Sequence, residues 1–488
     1  MDDPKILTST NVLVPSDDKP ARRLRQYIAA LSATLGAFSL GTVLAWTSPT
    51  SSQLAQSDTN HDPRLMTQAQ WSWVSSLMNV GATLSVVLVG AAIDRIGRKY
   101  TMLALVLPFV AGWFMIAWAD QDVPLYYVGR IVCGMMGGAF SLSAPVYISE
   151  IAQKEIRGML GVCYQLMLTV GILFVYVVGG IDGVSVFALT LTCSFIPLVF
   201  GAIFFFMPET PRQYIQKGRM EEARQSLTWF RGEEYNIDAE IQEIETAVET
   251  TKALQLSWRE SFSTPAAKKA LLVSLGLMIF QQLSGVNAVI FYSSDIFKDA
   301  GSTLAPSKAS IVIGVIQVIA TFISTQVVDR AGRRPLLMAS HAVMSACAIT
   351  LGVYFHVKED VAGIGWLPLA SLCVYIVLFS FGVGPIPWLM VGELFPAGIK
   401  GAASSVACLV NWLLSFVVTK FFVDMVASIG PDWTFWIFGA VLAVGTAFVY
   451  FVVPETKGKT LEEIQADLGG DKRKRDPEEL KMPHLDRY

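Results

Sequence analysis

Apolar residues in this chain come in blocks of about 20, the length that carries a helix across about 30 Å of hydrocarbon. Twelve such blocks are present, at roughly 27–49, 71–93, 100–119, 125–148, 158–180, 184–207, 269–297, 306–328, 335–356, 366–391, 399–425 and 432–453. Backbone polar groups have no water partner in lipid, so each block must satisfy its own hydrogen bonds as a helix. The expected fold is an all-α membrane protein of twelve transmembrane helices in two six-helix bundles. Composition agrees. The chain is 53% apolar and 16% charged, where a soluble domain carries about a quarter charged residues. A net charge of −3 gives no reason to expect a nucleic-acid partner. The partner that the apolar blocks do require is membrane lipid.

The polar segments divide the chain. We expect an N-terminal tail at 1–26, a first bundle at 27–207, a linker with short helices at 208–268, a second bundle at 269–453 and a C-terminal tail at 454–488. Helical spacing in the linker is clearest over Arg219–Arg231 and Asp238–Leu254. The first twenty residues are polar and the first apolar block is long, so that block reads as a retained span and not as a leader. Lysine and arginine follow spans two, four, eight and ten, whereas the opposite loops hold acids such as Asp58, Asp62, Asp120 and Asp182. The positive-inside rule then puts both termini and the linker in the cytoplasm. The six cysteines all lie inside apolar blocks without metal-type spacing, and read as small hydrophobes. The four histidines are scattered. No catalytic residues, metal site or cofactor is expected, and a membrane enzyme finds no support.

The two halves repeat each other. Asp94-Arg95-x-Gly97-Arg98-Lys99 after span two is matched by Asp329-Arg330-x-Gly332-Arg333-Arg334 after span eight. Glu150 with Arg157 after span four is matched by Glu393 with Lys400 after span ten. Pro208-Glu209-Thr210-Pro211-Arg212 after span six is matched by Pro454-Glu455-Thr456 after span twelve. A duplicated six-span unit is the layout of transporters with a solute site between parallel halves.

These paired loops, together with Gln281-Gln282-Leu283-Ser284-Gly285 and Gly384-Pro385-Ile386-Pro387-Trp388, resemble the sugar porter family of the major facilitator superfamily. The likeness runs over about 25–460. Within the family it is nearest to the insect facilitated trehalose transporters and their hexose-carrying relatives. It implies a small neutral sugar as partner and a plasma-membrane location. It also implies that Asp94, Arg95, Arg98, Glu150, Arg157, Glu209 and Arg212 in the first half form cytoplasmic ion pairs. Asp329, Arg333, Arg334, Glu393, Lys400 and Glu455 would do so in the second. Exposed pairs of this kind contribute about 0–1 kcal/mol each, enough as a set to bias a conformation and little enough to break every cycle. Lys400 replaces the family's usual Arg and cannot make a planar two-point contact. Each loop taken singly also reads as a solvated topology signal.

A neutral polyol wants side chains that donate and accept without charge, because an unpartnered buried hydroxyl costs about 1–3 kcal/mol. Gln165, Gln281, Gln282, Asn287, Gln317 and Asn411 are amides inside apolar blocks, and Trp388 offers a ring face. By the resemblance each matches a sugar-contacting position, with Gln317 in place of a usual Asn. Ser380 and Ser415 replace a Glu and an Asn of the most similar glucose carriers. Read alone, any one amide is equally suited to bond helix to helix, and Trp388 to packing. Gly285 and the run through Gly384, Pro385 and Pro387 should break spans seven and ten and act as gates, with Tyr292 as a lid or an interfacial aromatic.

Proton-coupled members of the family carry an Asp in span one. Here no acid lies between Arg25 and Asp58, and Ser380 removes the other intramembrane acid position. Asp295 and Asp424 sit near helix ends, where solvent is expected to reach them. The expectation is passive uniport with no coupling ion. The alternatives are a proton–sugar symporter and a non-transporting sugar receptor. The 34 residues after Pro454 are fewer than the tails of receptor-type members.

Overall fold

A computed structural model describes residues 21–56, 62, 64–253, 264–361 and 363–469. Most of the two tails and 254–263 of the linker, with Asp58 and Leu254, lie outside the described residues, as does the side chain of Asp329. Every regular element among the described residues is helical. Among the described residues, eleven stretches are long and apolar enough to cross a membrane. One of them, Ile399–Val452, has 54 residues, about twice what a bilayer needs. It turns at Gly430, which has φ 86°, just before Pro431, so it supplies spans eleven and twelve.

Span one is Leu24–Ala45, continued by a short helix Thr47–Leu54. Spans two to six are Gln68–Ile96, the pair Arg98–Ala104 and Val106–Ala117, Val123–Ile151, Lys154–Gly179 and Val186–Phe204. The linker forms helices Pro211–Gln216, Met220–Arg231 and Asp238–Ala253. Span seven is broken into Pro265–Leu283 and Val286–Phe291, followed by a short helix Ser293–Asp299. Spans eight and nine are Pro306–Ala331 and Arg333–Val357. Span ten runs Leu367–Leu378, passes through a π-helical turn at Phe379–Val383, and resumes over Pro385–Leu394. A last helix covers Leu461–Gly469.

Both expected breaks have a local cause. Gly285 takes φ 87°, a conformation in which a side chain is strained, and a Cβ there would lie 2.6 Å from the Phe438 ring. Pro387 has no N–H, so the Val383 carbonyl four residues earlier loses its helical donor.

Large apolar side chains point outward as lipid requires: Phe206 is 76% exposed, Leu107 75% and Phe451 80%. Span one is the reverse. Its small residues Ala29, Ala30, Ala33 and Ala37 are fully buried, letting neighbouring helices approach closely. Between the two halves of the chain, span two packs on span eleven, span five on span eight, and span one on the Val286–Phe291 part of span seven. The linker helices pack on the first half, and Leu461–Gly469 packs on spans seven and ten.

Candidate functional site

The amides fall into two sets. Gln281 is committed to the break in span ten. Its Nε2 donates to the Val383 carbonyl at 2.7 Å and to the Gly384 carbonyl at 2.8 Å, so it satisfies the group that Pro387 orphans. Asn411 in span eleven donates to Gln281 Oε1 at 2.7 Å and so orients that amide. These two bond helix to helix, one of the readings open from sequence.

The second set is less spent. Asn287, half-buried, donates to Gln282 Oε1 at 2.6 Å and to Ser415 Oγ at 2.7 Å. Gln165 in span five is half-buried with no hydrogen bond to a described residue. Gln317 in span eight is 2% exposed, yet its Oε1 has no partner among the described residues. The same holds for the Tyr164 hydroxyl in span five and Ser380 Oγ in the π turn. Span eight packs against both span five and that turn. Buried polar atoms are nearly always paired, so orphans grouped on adjoining helices of both halves point to a polar occupant. Trp388, beyond the break, is 43% exposed and makes no ring contact among the described residues.

At the end away from the lysine- and arginine-rich loops, neutral hydrogen bonds join the halves. The chain breaks again at Tyr292, and carbonyls in the turn before a break lack helical donors. Tyr176 OH donates to the Ile290 carbonyl at 2.7 Å and Thr47 Oγ1 to that of Phe291 at 2.9 Å. Ser294 N–H donates to Ser48 Oγ at 3.1 Å. Ser51 Oγ donates to Asp295 at 2.7 Å, so Asp295 is half-buried and partnered and not freely solvated as expected. Lys420 lies 5.1 Å from the Trp73 ring centre, a cation–π contact across the same seam. Tyr292 itself is 1% exposed. Its hydroxyl donates to the Thr419 carbonyl at 2.9 Å and its ring stacks 5.3 Å from Phe422.

Two residues here escaped the sequence reading. Asn79 in span two bonds Ser415 and Thr419 of span eleven. Arg130 in span four is fully buried and donates to the carbonyls of Val74 and Val43 at 2.9 Å, with Trp46 5.5 Å away. Each is a polar residue inside an apolar block, which was the available signal. No carboxylate is bonded to Arg130 among the described residues; backbone dipoles offset its charge.

At the charged-loop end, ion pairs form within each half. Arg98 donates to Glu150 at 2.9 Å, with the two side chains 4% and 8% exposed. It also bonds Gln213. Thr210 Oγ1 donates to Glu150 at 2.6 Å, Arg212 approaches Glu150 to 3.9 Å and Asp94 approaches Arg98 to 3.8 Å. Glu209 caps the start of span three, accepting from Lys99 N–H at 2.9 Å beside Gly97. The second half repeats this plan. Arg333 donates to Glu393 at 3.0 Å, and Glu455 accepts from Arg333 and Arg334 N–H at 3.0 Å beside Gly332.

Four of the expected basic members make no ion pair to a described carboxylate. The Arg334 guanidinium donates to the Tyr450 carbonyl. Arg95 is exposed, the Arg157 side chain bonds the Ala152 carbonyl and no other described residue, and Lys400 is exposed with no ion pair to a described residue. Arg95 lies in the last turn of span two and Arg157 in the first turn of span five, each on a helix face without a described carboxylate in reach, and Lys400 has no planar fork for a two-point contact. Burial raises the Glu209 carboxyl, offset only in part by the Thr210 and Lys99 N–H groups. Partial burial also acts on Glu455, but four backbone N–H donors bring it below the usual carboxylate value.

Comparison with known proteins comes to the same place. The protein is 42% identical over 449 residues to the facilitated trehalose transporter Tret1 of Aedes aegypti, covering 91% of this chain and 55% of that one. Against the Tret1 of Apis mellifera ligustica it is 42% identical over 459 residues, covering 92% and 89%. So the chain spans about half the length of the first and most of the second. Among solved structures, the proton:xylose symporter XylE bound to 6-bromo-6-deoxy-D-glucose superposes with a TM-score of 0.74 at 26% identity, over 91% of this chain and 99% of that one. The partially occluded inward-open form of the E. coli xylose transporter XylE gives 0.76 at 24% identity, over 89% and 99%. The profile of the sugar (and other) transporter family matches residues 26–468, and the chain belongs to that family, with the major facilitator fold.

Proposed function

We propose that this protein is a facilitative sugar transporter that moves trehalose or a hexose such as glucose passively across the plasma membrane, by alternating access between two six-helix bundles. Both termini and the charged loops face the cytoplasm in this reading. The observation that carries it is the set of under-used amides on spans of both halves: Gln165 and Gln317, with Gln282 and Asn287. Such groups replace the water shell of a hydroxyl-rich solute without introducing charge. Gln281 and Asn411 support this set from behind, by holding the span-ten break in place, and Trp388 offers an apolar ring face at the break. Tyr292, Gly384, Pro385 and Pro387 belong to the moving parts.

Passive movement is supported by the treatment of Arg130. A proton-coupled site needs a buried carboxylate to bind and release the proton, and here backbone carbonyls solvate that arginine instead. Binding should be weak. Millimolar affinity corresponds to about 4 kcal/mol, and much tighter binding would stall release.

The test is tracer uptake into liposomes containing pure protein, with trehalose, glucose, fructose and mannose. At least one sugar should equilibrate without accumulating, at the same rate with and without an imposed proton gradient. Gln282→Ala and Asn287→Ala should depress uptake while the protein still inserts. Accumulation driven by the gradient would make the protein a symporter. Failure of every sugar to enter would overturn sugar transport altogether.

A further inference from the structure

Asn79 is fully buried in the middle of span two, on the first half of the chain. Its Nδ2 donates to Thr419 Oγ1 at 3.0 Å and its Oδ1 accepts from Ser415 Oγ at 2.9 Å, both on span eleven of the second half. Ser415 accepts in turn from Asn287 at 2.7 Å, and Asn287 donates to Gln282 at 2.6 Å. Four side chains thus run unbroken from the first half into the amides proposed to hold the sugar. The short arm of Ser415 leaves the room that Asn79 occupies.

A primary amide offers two donors and an acceptor, and leaving them unpaired in an apolar surround costs about 1–3 kcal/mol. When the outer ends of the two halves separate, Ser415 and Thr419 move away from Asn79 together, because both sit on span eleven. What replaces them must accept from Nδ2 and donate to Oδ1 at one place. Adjacent hydroxyls of a sugar ring do both at once. We infer that Asn79 is a sugar-specificity residue of the outward-facing state, an amide supplied by the first half that exchanges Ser415 and Thr419 for a pair of sugar hydroxyls. This rests on the transport function proposed above. It assigns Asn79 a one-sided role: in the state with the outer end closed, its amide is already taken, and sugar entering from the cytoplasm does not meet it.

The test uses proteoliposomes of defined orientation, with zero-trans entry and exit measured separately for trehalose, glucose and singly deoxygenated glucoses. Asn79→Ala should raise the outside KM about tenfold, the loss of one good hydrogen-bonded contact, and leave the inside KM within about twofold. One deoxyglucose that wild type handles poorly from outside should be handled by Asn79→Ala as well as glucose is. The swap Asn79→Ser with Ser415→Asn, which keeps the pair and moves the amide to the other half, should bring the outside KM back toward wild type and serves if the alanine variant does not fold. Equal KM changes at both faces, or a fall in rate with both KM values unchanged, would reduce Asn79 to a closure strut and overturn the inference while leaving transport standing. A wild type that carries none of these sugars overturns both.

Discussion

The two ends of this molecule are held by different chemistry. At the end away from the charged loops the contacts run between the halves and are mostly neutral: Tyr176 to Ile290, Thr47 to Phe291, Ser48 to Ser294, with Ser51 to Asp295 and Lys420 over Trp73 as the charged exceptions. At the charged end the strong contacts stay inside each half, Arg98 with Glu150 and Arg333 with Glu393. Among the described residues no ion pair joins one half to the other there. Neutral bonds worth about 1 kcal/mol each are easily exchanged for water as a seam opens. A buried ion pair is costly to break, so it suits a joint that keeps a bundle rigid through the cycle. Among the described residues, then, bonds between the halves gather at the end away from the charged loops, and ion pairs within each half gather at the charged end.

The largest effect tests the inner end. Arg98→Ala leaves Glu150 buried with only the more distant Arg212 as charge partner and should cost about 3 kcal/mol of stability. Arg333→Ala should cost clearly less, because that pair is 12% and 24% exposed. Thermal unfolding of the detergent-solubilised variants measures both, and equal losses would break the distinction between the two clusters. Next comes the outer seam. Thr47→Val and Tyr176→Phe each remove one cross-half bond, and each should shift the balance toward an open outer end about fivefold. The readout is the labelling rate of Ser294→Cys by an impermeant maleimide; unchanged labelling would mean that these bonds do not hold the seam.

A subtler contrast is pH dependence. The depressed Glu455 carboxyl contributes stability that is complete above the ordinary value of 4.5 and is lost as pH falls through the lowered one. The raised Glu209 carboxyl does the opposite. Its ionisation works against the fold as pH climbs from 4.5 through the raised value, and that penalty is relieved as pH falls. The melting temperature of Glu455→Gln should therefore approach that of wild type only as pH falls below 4.5, whereas wild type should gain on Glu209→Gln above 4.5, as pH falls through the raised value. Parallel curves would deny the difference between the two caps. The smallest effect is at Lys400, where alanine should change stability by less than about 0.5 kcal/mol, because the side chain is exposed and has no ion pair among the described residues.

Much of the site was legible as residue types at the right depth. Amides inside apolar blocks, Gly285 and Pro387 as helix breakers, and the Glu and Arg of the repeated loops could be picked out by residue type and spacing, although Arg95 and Arg157 make no ion pair to a described residue. Their tasks were less legible. Gln281 and Gln282 are neighbours in sequence, yet Gln281 is used up on the carbonyls of span ten while Gln282 bonds Asn287. Adjacent residues on a helix point about 100° apart, and only the packed neighbours decide which one meets backbone and which meets the pathway. Asn79 and Arg130 were passed over because their partners lie on other helices, from 55 to 340 residues away.

What the chain determined alone was its spans, their duplication and the family. Hydropathy, breakers and loop motifs act over tens of residues, and lipid leaves a long apolar block no choice but helix. What only the tertiary structure decided was which end is shut, and which amides remain free for a solute. Both depend on how helices far apart in sequence are turned toward one another, and a polar side chain buried among them takes whichever partner that rotation brings within reach.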